Sequence, residues 1–185
     1  DKFLRLHEQH AESAYWEDAT YRLAESLLQR GKPADAREML AKLLVGELTP
    51  ELRAHALYLD GRTAGSMHNW DSMQQTLAQL LAEFPTSPLQ QPASFWRAEA
   101  AYQAAQYERA QTLFAALSPE KQNEAEATTT RLRRAQLAAT RNDWDAARTI
   151  AERLQAEPIS PAHQDELYYL LGRCEIAAAE FDRAR

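Results

Sequence analysis

The feature that most restricts how this chain can fold is a spacing. In Asn142-Asp143-Trp144-Asp145-Ala146-Ala147 an aromatic residue stands three positions before a small one, and the pattern returns at Trp70…Met73, Tyr107…Ala110 and Phe181…Ala184. Pro33…Ala36 fills the same two places without the aromatic. The second member falls at 36, 73, 110, 147 and 184, a constant step of 37 residues. Self-similarity at a fixed step of this size marks a repeat array, whose units each carry an apolar face they cannot bury alone.

Setting the repeats under one another gives columns with a packing meaning. Ala24, Gly61, Ala98, Ala135 and Gly172 form one small column. Ala36, Met73, Ala110, Ala147 and Ala184 form a second, in which only Met73 is bulky. Antiparallel helices that cross closely need small side chains at the crossing, so the paired columns predict helical hairpins. A leucine column follows at Leu43, Leu80, Leu117 and Leu154, with Leu6 one step upstream. Leu6 makes residues 1–11 the second helix of a preceding, truncated repeat, with Phe3 on its buried face. Glycine is scarce, alanine is abundant and no strand-like alternation occurs, so an all-α chain is expected.

Caps and breakers set the boundaries. The first helix should run from Ser13 to Gln29, ending at Gly31, and its partner from Pro33 to Val45, closed by Gly46 and Pro50. Helices follow at 51–66 and 70–84 about a turn at His68-Asn69, after which Pro85, Pro88 and Pro92 force an irregular connection. Next come 93–105 and 107–117, then 120–141 and 144–156, then 162–179 with a second-helix stub from Phe181. The chain therefore reads as one array over 1–185, with repeats at 13–49, 50–88, 89–122 and 123–160 and a partial repeat at 161–185. Both ends read as cut, so a fragment of a longer protein is expected.

The totals exclude several functions. A net charge of −6 disfavours nucleic acid as a partner. No apolar run approaches the roughly 20 residues of a membrane span, so direct insertion is not expected. Cys174 is the single cysteine and cannot form an internal disulfide. His7 and His10 stand three apart, not four as in the zinc-protease helix. With no phosphate-binding glycine loop either, the reading is non-enzymatic, with no catalytic residues, no metal and no cofactor.

The columns resemble the tetratricopeptide repeat, most clearly at Gly61…Trp70…Met73…Leu77…Pro85 and Ala98…Tyr107…Ala110…Phe114. The resemblance runs over essentially the whole chain. The family repeat is about 34 residues, which puts the extra residues of each unit in the connections. Where the family commonly has leucine before the small column, this chain has Asp60, Arg97 and Arg134. The resemblance implies a right-handed superhelical solenoid of antiparallel hairpins, with first helices lining a concave groove. Leu81-Ala82-Glu83-Phe84-Pro85-Thr86-Ser87-Pro88 is similar to the repeat ending of bacterial cell-envelope members serving outer-membrane assembly, the Tol–Pal system and exopolysaccharide export. It implies a periplasmic or envelope location; the cytoplasm is the alternative.

In the family, the position three before the small column points into the groove. Here it holds Tyr21, Tyr58, Phe95, Leu132 and Tyr169, followed four residues on by Glu25, Arg62, Glu99, Gln136 and Arg173. Tyr102 extends the patch beyond Phe95. Aromatics flanked by both charge signs suit a partner peptide with apolar anchors; the competing explanation is packing between adjacent first helices. The lysine–asparagine–arginine clamp of chaperone-tail-binding relatives is absent from these columns. Trp16, Trp70, Trp96 and Trp144 are expected in helix packing. Arg131, Arg133, Arg134 and Arg141 make one basic helix, expected to pair with Glu124 and Glu126. The expected function is a protein-interaction scaffold. The alternatives are a rigid spacer or self-assembly element, or an accessory domain of a larger enzyme or export machine.

Overall fold

A computed structural model describes residues 15–183, with side chains to 179. The expected helix at 1–11, Phe3, Leu6, the His7/His10 pair, Ser13 and Ala184 lie outside the described residues. Among the described residues all regular structure is helical: α1 Trp16–Gln29, α2 Pro33–Val45, α3 Pro50–Ser66, α4 Trp70–Glu83, α5 Gln90–Gln103, α6 Tyr107–Ala115, α7 Glu124–Thr140, α8 Trp144–Gln155 and α9 Pro161–Arg183. A single 3-10 turn spans Pro119–Lys121. The chain divides into two compact units, residues 1–106 and 107–185.

One turn is used four times. Gly31, His68, Ala105 and Asn142 all have positive φ, at 72°, 57°, 56° and 61°. They stand 37 residues apart, and each is followed by a backbone N–H that reaches five residues back to a carbonyl of the ending helix. These bonds run from Lys32 to Leu27, Asn69 to Ala64, Gln106 to Ala101 and Asp143 to Ala138, at 2.9–3.0 Å. The left-handed residue satisfies carbonyls that the helix end would leave unpaired and reverses the chain within one residue. The next helix starts two residues after it, at Pro33, Trp70, Tyr107 and Trp144. Asn69 accepts from the Ser72 amide at 3.2 Å and Asp143 from the Ala146 amide at 3.2 Å.

In the first unit α1 packs on α2, α3 on α4, and successive hairpins stack through α2 on α3 and α4 on α5. Ala24, Ala36 and Ala98 have no exposed surface. Gly61 is needed for close approach, because a Cβ there would stand 2.8 Å from the Leu77 side chain. The bulky Met73 is accommodated by its neighbour across the hairpin: a Cβ on Gly65 would fall 2.6 Å from the Met73 sulfur. The polar residue at Asp60 also has a reason. It pairs with Arg37 of α2 at 3.5 Å and accepts from Thr76 at 3.2 Å, while burial raises its pKa despite Arg37. Arg37 also donates to Ser72. Ion pairing thus joins hairpins where a leucine would have packed.

In the second unit α7, α8 and α9 enclose a core of Leu132, Ala135, Ala147, Ala151, Leu154, Leu167, Leu170 and Cys174. The basic helix finds other acids than those expected. Arg131 pairs with Glu157 and Arg133 with Glu166, while Arg141 donates to Gln111. Glu124 and Glu126 lie in the first turn of α7, behind the Asn123 cap.

Four boundaries differ from expectation. α5 begins at Gln90, ahead of Pro92, because a proline in the first turn lacks only an N–H that would be unpaired anyway. α6 ends at Ala115 rather than 117. The helix expected from 120 begins at Glu124, where Asn123 accepts the Glu126 amide at 2.9 Å. Finally, no break separates 179 from Phe181: α9 continues to Arg183. Ala179 is the next member of the 37-residue turn series, yet it stands in a run of alanines that favours helix.

Candidate functional site

The first helices of the first unit, α1, α3 and α5, place several of the candidate residues along one face. Tyr21 is half-buried, its ring edge-on to His55 of α3 with centroids 6.3 Å apart. Burial raises the Tyr21 pKa, with Glu25 adding to the rise and Arg22 opposing it. Glu25 pairs with Arg22 within its own helix at 3.0 Å. Tyr58 is half-buried, and its hydroxyl accepts a long bond from Arg62 at 3.4 Å. The Arg62 guanidinium lies 3.8 Å from the ring centroid of Trp96 on α5, within cation–π range.

Arg62 and Trp96 form one wall of a cleft of about 290 Å³, completed by Gly65, Ser66, Trp70, Met73, Glu99, Ala100 and Gln103. Glu99 is buried and accepts from Gln103 Nε2 at 2.8 Å. At the other end of α3 a second cleft of about 250 Å³ lies between Pro50, Glu51, Ala54 and His55 and the Phe84–Pro88 connection. Gln90 fixes that connection by donating to the carbonyls of Leu81 and Phe84 at 3.1 and 2.8 Å.

Phe95 corrects the expected aromatic ladder. It is 3% exposed and packs edge-to-face on Trp96, centroids 5.1 Å apart, so its ring offers no surface to a partner. Trp96 packs against the core of the first unit, as expected, and also lines the cleft. Tyr102 is half-buried one side of α5 further on. Two residues that sequence reasoning did not place on this face, His55 and Trp96, share an offset with their contacts: 55 − 21 = 34 and 96 − 62 = 34. That is the repeat step less three, one helical turn back on the next first helix, and it would have found both.

Tyr169 and Arg173 belong to the second unit, where Thr129 and His163 meet at the same offset of 163 − 129 = 34, 3.0 Å apart. Tyr169 is exposed, and Arg173 lies over the Trp144 ring at 5.3 Å instead of beside another first helix. Cys174 is wholly enclosed, and burial pushes its thiol pKa up. Among the described residues no group of three or more histidines, cysteines or carboxylates is placed to hold a metal, and no helix is long and apolar enough to cross a membrane.

Residues 18–45 match the family described as tetratricopeptide repeat. The MamA RS-1 ArsTM double mutant superposes with a TM-score of 0.68 at 14% identity, over 90% of each chain. BtubC (BKLC) from P. vanneervenii gives 0.69 at 17% identity, over 99% of this chain and 81% of that one. The fold is that of a tetratricopeptide array. A Podosopora anserina chain of nearly identical TPR-like repeats agrees, with a TM-score of 0.64 at 16% identity over 90% of this chain and 89% of that one. No curated protein matches the chain in sequence. In tetratricopeptide terms the 37-residue step carries its longer connections outside the hairpins: each hairpin turns at one left-handed residue, while Phe84–Leu89 joins one repeat to the next.

Proposed function

We propose that this chain is a non-catalytic scaffold that binds a partner protein through the first-helix face of its first unit. The observation that carries the reading is the run of contacts between and along helices from Tyr21 and His55 to Tyr58, Arg62 and Trp96, which keeps aromatic and charged groups together along one face. Repeat arrays use such extended faces for recognition, and aromatic and arginine anchors carry much of the energy at protein interfaces. The Phe84-Pro85-Thr86-Ser87 ending supports an envelope location, which cell fractionation tests.

Affinity capture with the purified chain, against a Tyr21→Ala, Tyr58→Ala double variant that retains its helical circular dichroism, tests the face. Loss of a captured partner is the expected result, and equal capture overturns the reading. A second reading, self-association, is favoured by one observation: Tyr168, Tyr169 and Ile176 of α9 are exposed at 56%, 70% and 61%. Sedimentation that depends on concentration would support it.

A further inference from the structure

The cleft beside Arg62 has a chemistry that the fold alone does not require. Arg62 is half-buried and laid against Trp96, and its one hydrogen bond is the 3.4 Å contact with the Tyr58 hydroxyl. Among the described residues no carboxylate pairs with it. Three other arginines of the first unit contrast with it: Arg22, Arg37 and Arg53 each hold an acid, at 3.0, 3.5 and 3.0 Å. A guanidinium carries five N–H donors in a fixed fork matched to a carboxylate. Stacking on Trp96 and contact with Tyr58 fix the side chain, so little rotamer freedom remains to be lost on binding.

The rest of the cleft limits what can reach that fork. Trp70 gives the cleft a half-buried apolar wall, with Met73 and Ala100 buried behind it, and about 290 Å³ lies at the small end of ligand pockets, enough for a bulky side chain or two small ones. Glu99 lines the same cleft, but it accepts from Gln103 Nε2 at 2.8 Å and forms no ion pair with Arg62. Gln103 Nε2 is a further donor at the rim, and the Ser66 hydroxyl is turned away onto the Thr63 carbonyl at 2.7 Å.

We propose that this cleft receives an internal acidic side chain, aspartate or glutamate, of a partner protein, its carboxylate pairing with Arg62 and an adjacent apolar residue lying against the half-buried Trp70. This rests on the scaffold reading and specifies the partner's chemistry at one point of the face. A carboxylate on a preoriented guanidinium makes charge-assisted bonds inside a partly dry cleft, where they are stronger than on an open surface.

The test uses an acetylated, amidated hexapeptide of alternating leucine and glutamate, titrated into 15N-labelled protein. The four tryptophan indoles report position. Saturating shifts at Trp70 and Trp96 with Trp144 unmoved are expected. Binding should weaken at least about tenfold when glutamine or lysine replaces glutamate, and should weaken with added salt. Arg62→Gln should remove the glutamate preference, Arg62→Lys should keep part of it, and Arg62→Glu should favour the lysine peptide, each in protein whose melting shows it folded. A free-acid version of the glutamine peptide that binds as well as the glutamate peptide would reassign the site to a chain terminus and overturn the proposal. Equal affinity for glutamate and glutamine peptides, or a preference unchanged by Arg62→Gln, would overturn it too. If captured partners depend on Tyr21 and Tyr58 but not on Arg62, the scaffold reading stands and this one falls. Glutamate-selective shifts without any captured partner leave the cleft chemistry standing and remove the scaffold reading.

Discussion

Gly61 and Gly172 occupy the same position of the repeat, and the structure treats them in opposite ways. Around Gly61 the α3/α4 hairpin is closed: Leu77 stands so near that an added Cβ would meet it at 2.8 Å. Around Gly172 on α9 nothing among the described residues lies within 4 Å of such a Cβ. Its surroundings are also open, with Tyr169 and Ile176 exposed on either side in sequence. One turn accompanies the difference. At Gly31, His68 and Asn142 the chain reverses and lays a second helix over the small column; at Ala179 it continues as helix to Arg183, the last described residue. A small residue in a repeat is therefore a packing requirement only where the hairpin closes over it.

Substitutions can break or sharpen that contrast, read as unfolding free energies from equilibrium denaturation. The largest effect belongs at a closed crossing. Ala147 is fully enclosed in the α7/α8 core, so Ala147→Leu should cost about 1–3 kcal/mol by overpacking. Gly61→Ala should come next, losing about 1–2 kcal/mol, since the clash with Leu77 outweighs the helix propensity gained.

Glu166→Gln probes how the well-packed half of α9 is held. Burial alone would raise the Glu166 pKa, but bonding from Gln136, the charge and bonding of Arg133, and His163 together bring it below the ordinary glutamate value. A lowered pKa contributes stability that is present above the unfolded-state value and lost as pH falls through the folded-state one. The variant should therefore lose about 1 kcal/mol at neutral pH, discounted because Glu166 is partly in solvent, and almost nothing near pH 3. An equal loss at both values would remove the ion pair from the account.

Ala105→Gly should stabilise by about 1 kcal/mol, because glycine holds positive φ without the strain alanine carries there. Gly172→Ala should have the smallest effect and the sign opposite to Gly61→Ala. With no neighbour to meet, alanine gains about 0.5–1 kcal/mol from helix propensity alone. A loss of stability at Gly172→Ala would mean that this face is covered in solution.

Legibility in the sequence followed the size of the physical signal. The hairpins were readable because the small columns, prolines and caps recur, and each acts locally. α3 and α4 fall within a residue of expectation. The break before Phe181 was misread because Phe181-Asp182-Arg183-Ala184-Arg185 resembles Trp144-Asp145-Ala146-Ala147-Arg148, while the alanines ahead of it carry no stop signal. At the candidate site the column pointed to the right helices and to Tyr21, Tyr58 and Arg62, but it took Phe95 where the neighbouring Trp96 faces the cleft. One residue on a helix is a rotation of about 100°, and nothing in a single column fixes that angle.

By itself, then, the sequence determined an all-helical array with a 37-residue step, because helix propensity, capping and close crossing are written in residues near one another in the chain. Only the tertiary structure decided which members of each column are covered. That choice put Phe95 inside and Trp96 against Arg62, gave Arg131 and Arg133 their partners in Glu157 and Glu166, and left Gly172 half-buried with no close neighbour among the described residues. Burial depends on neighbours distant in sequence, and a local pattern names candidates for contact without saying which neighbour arrives.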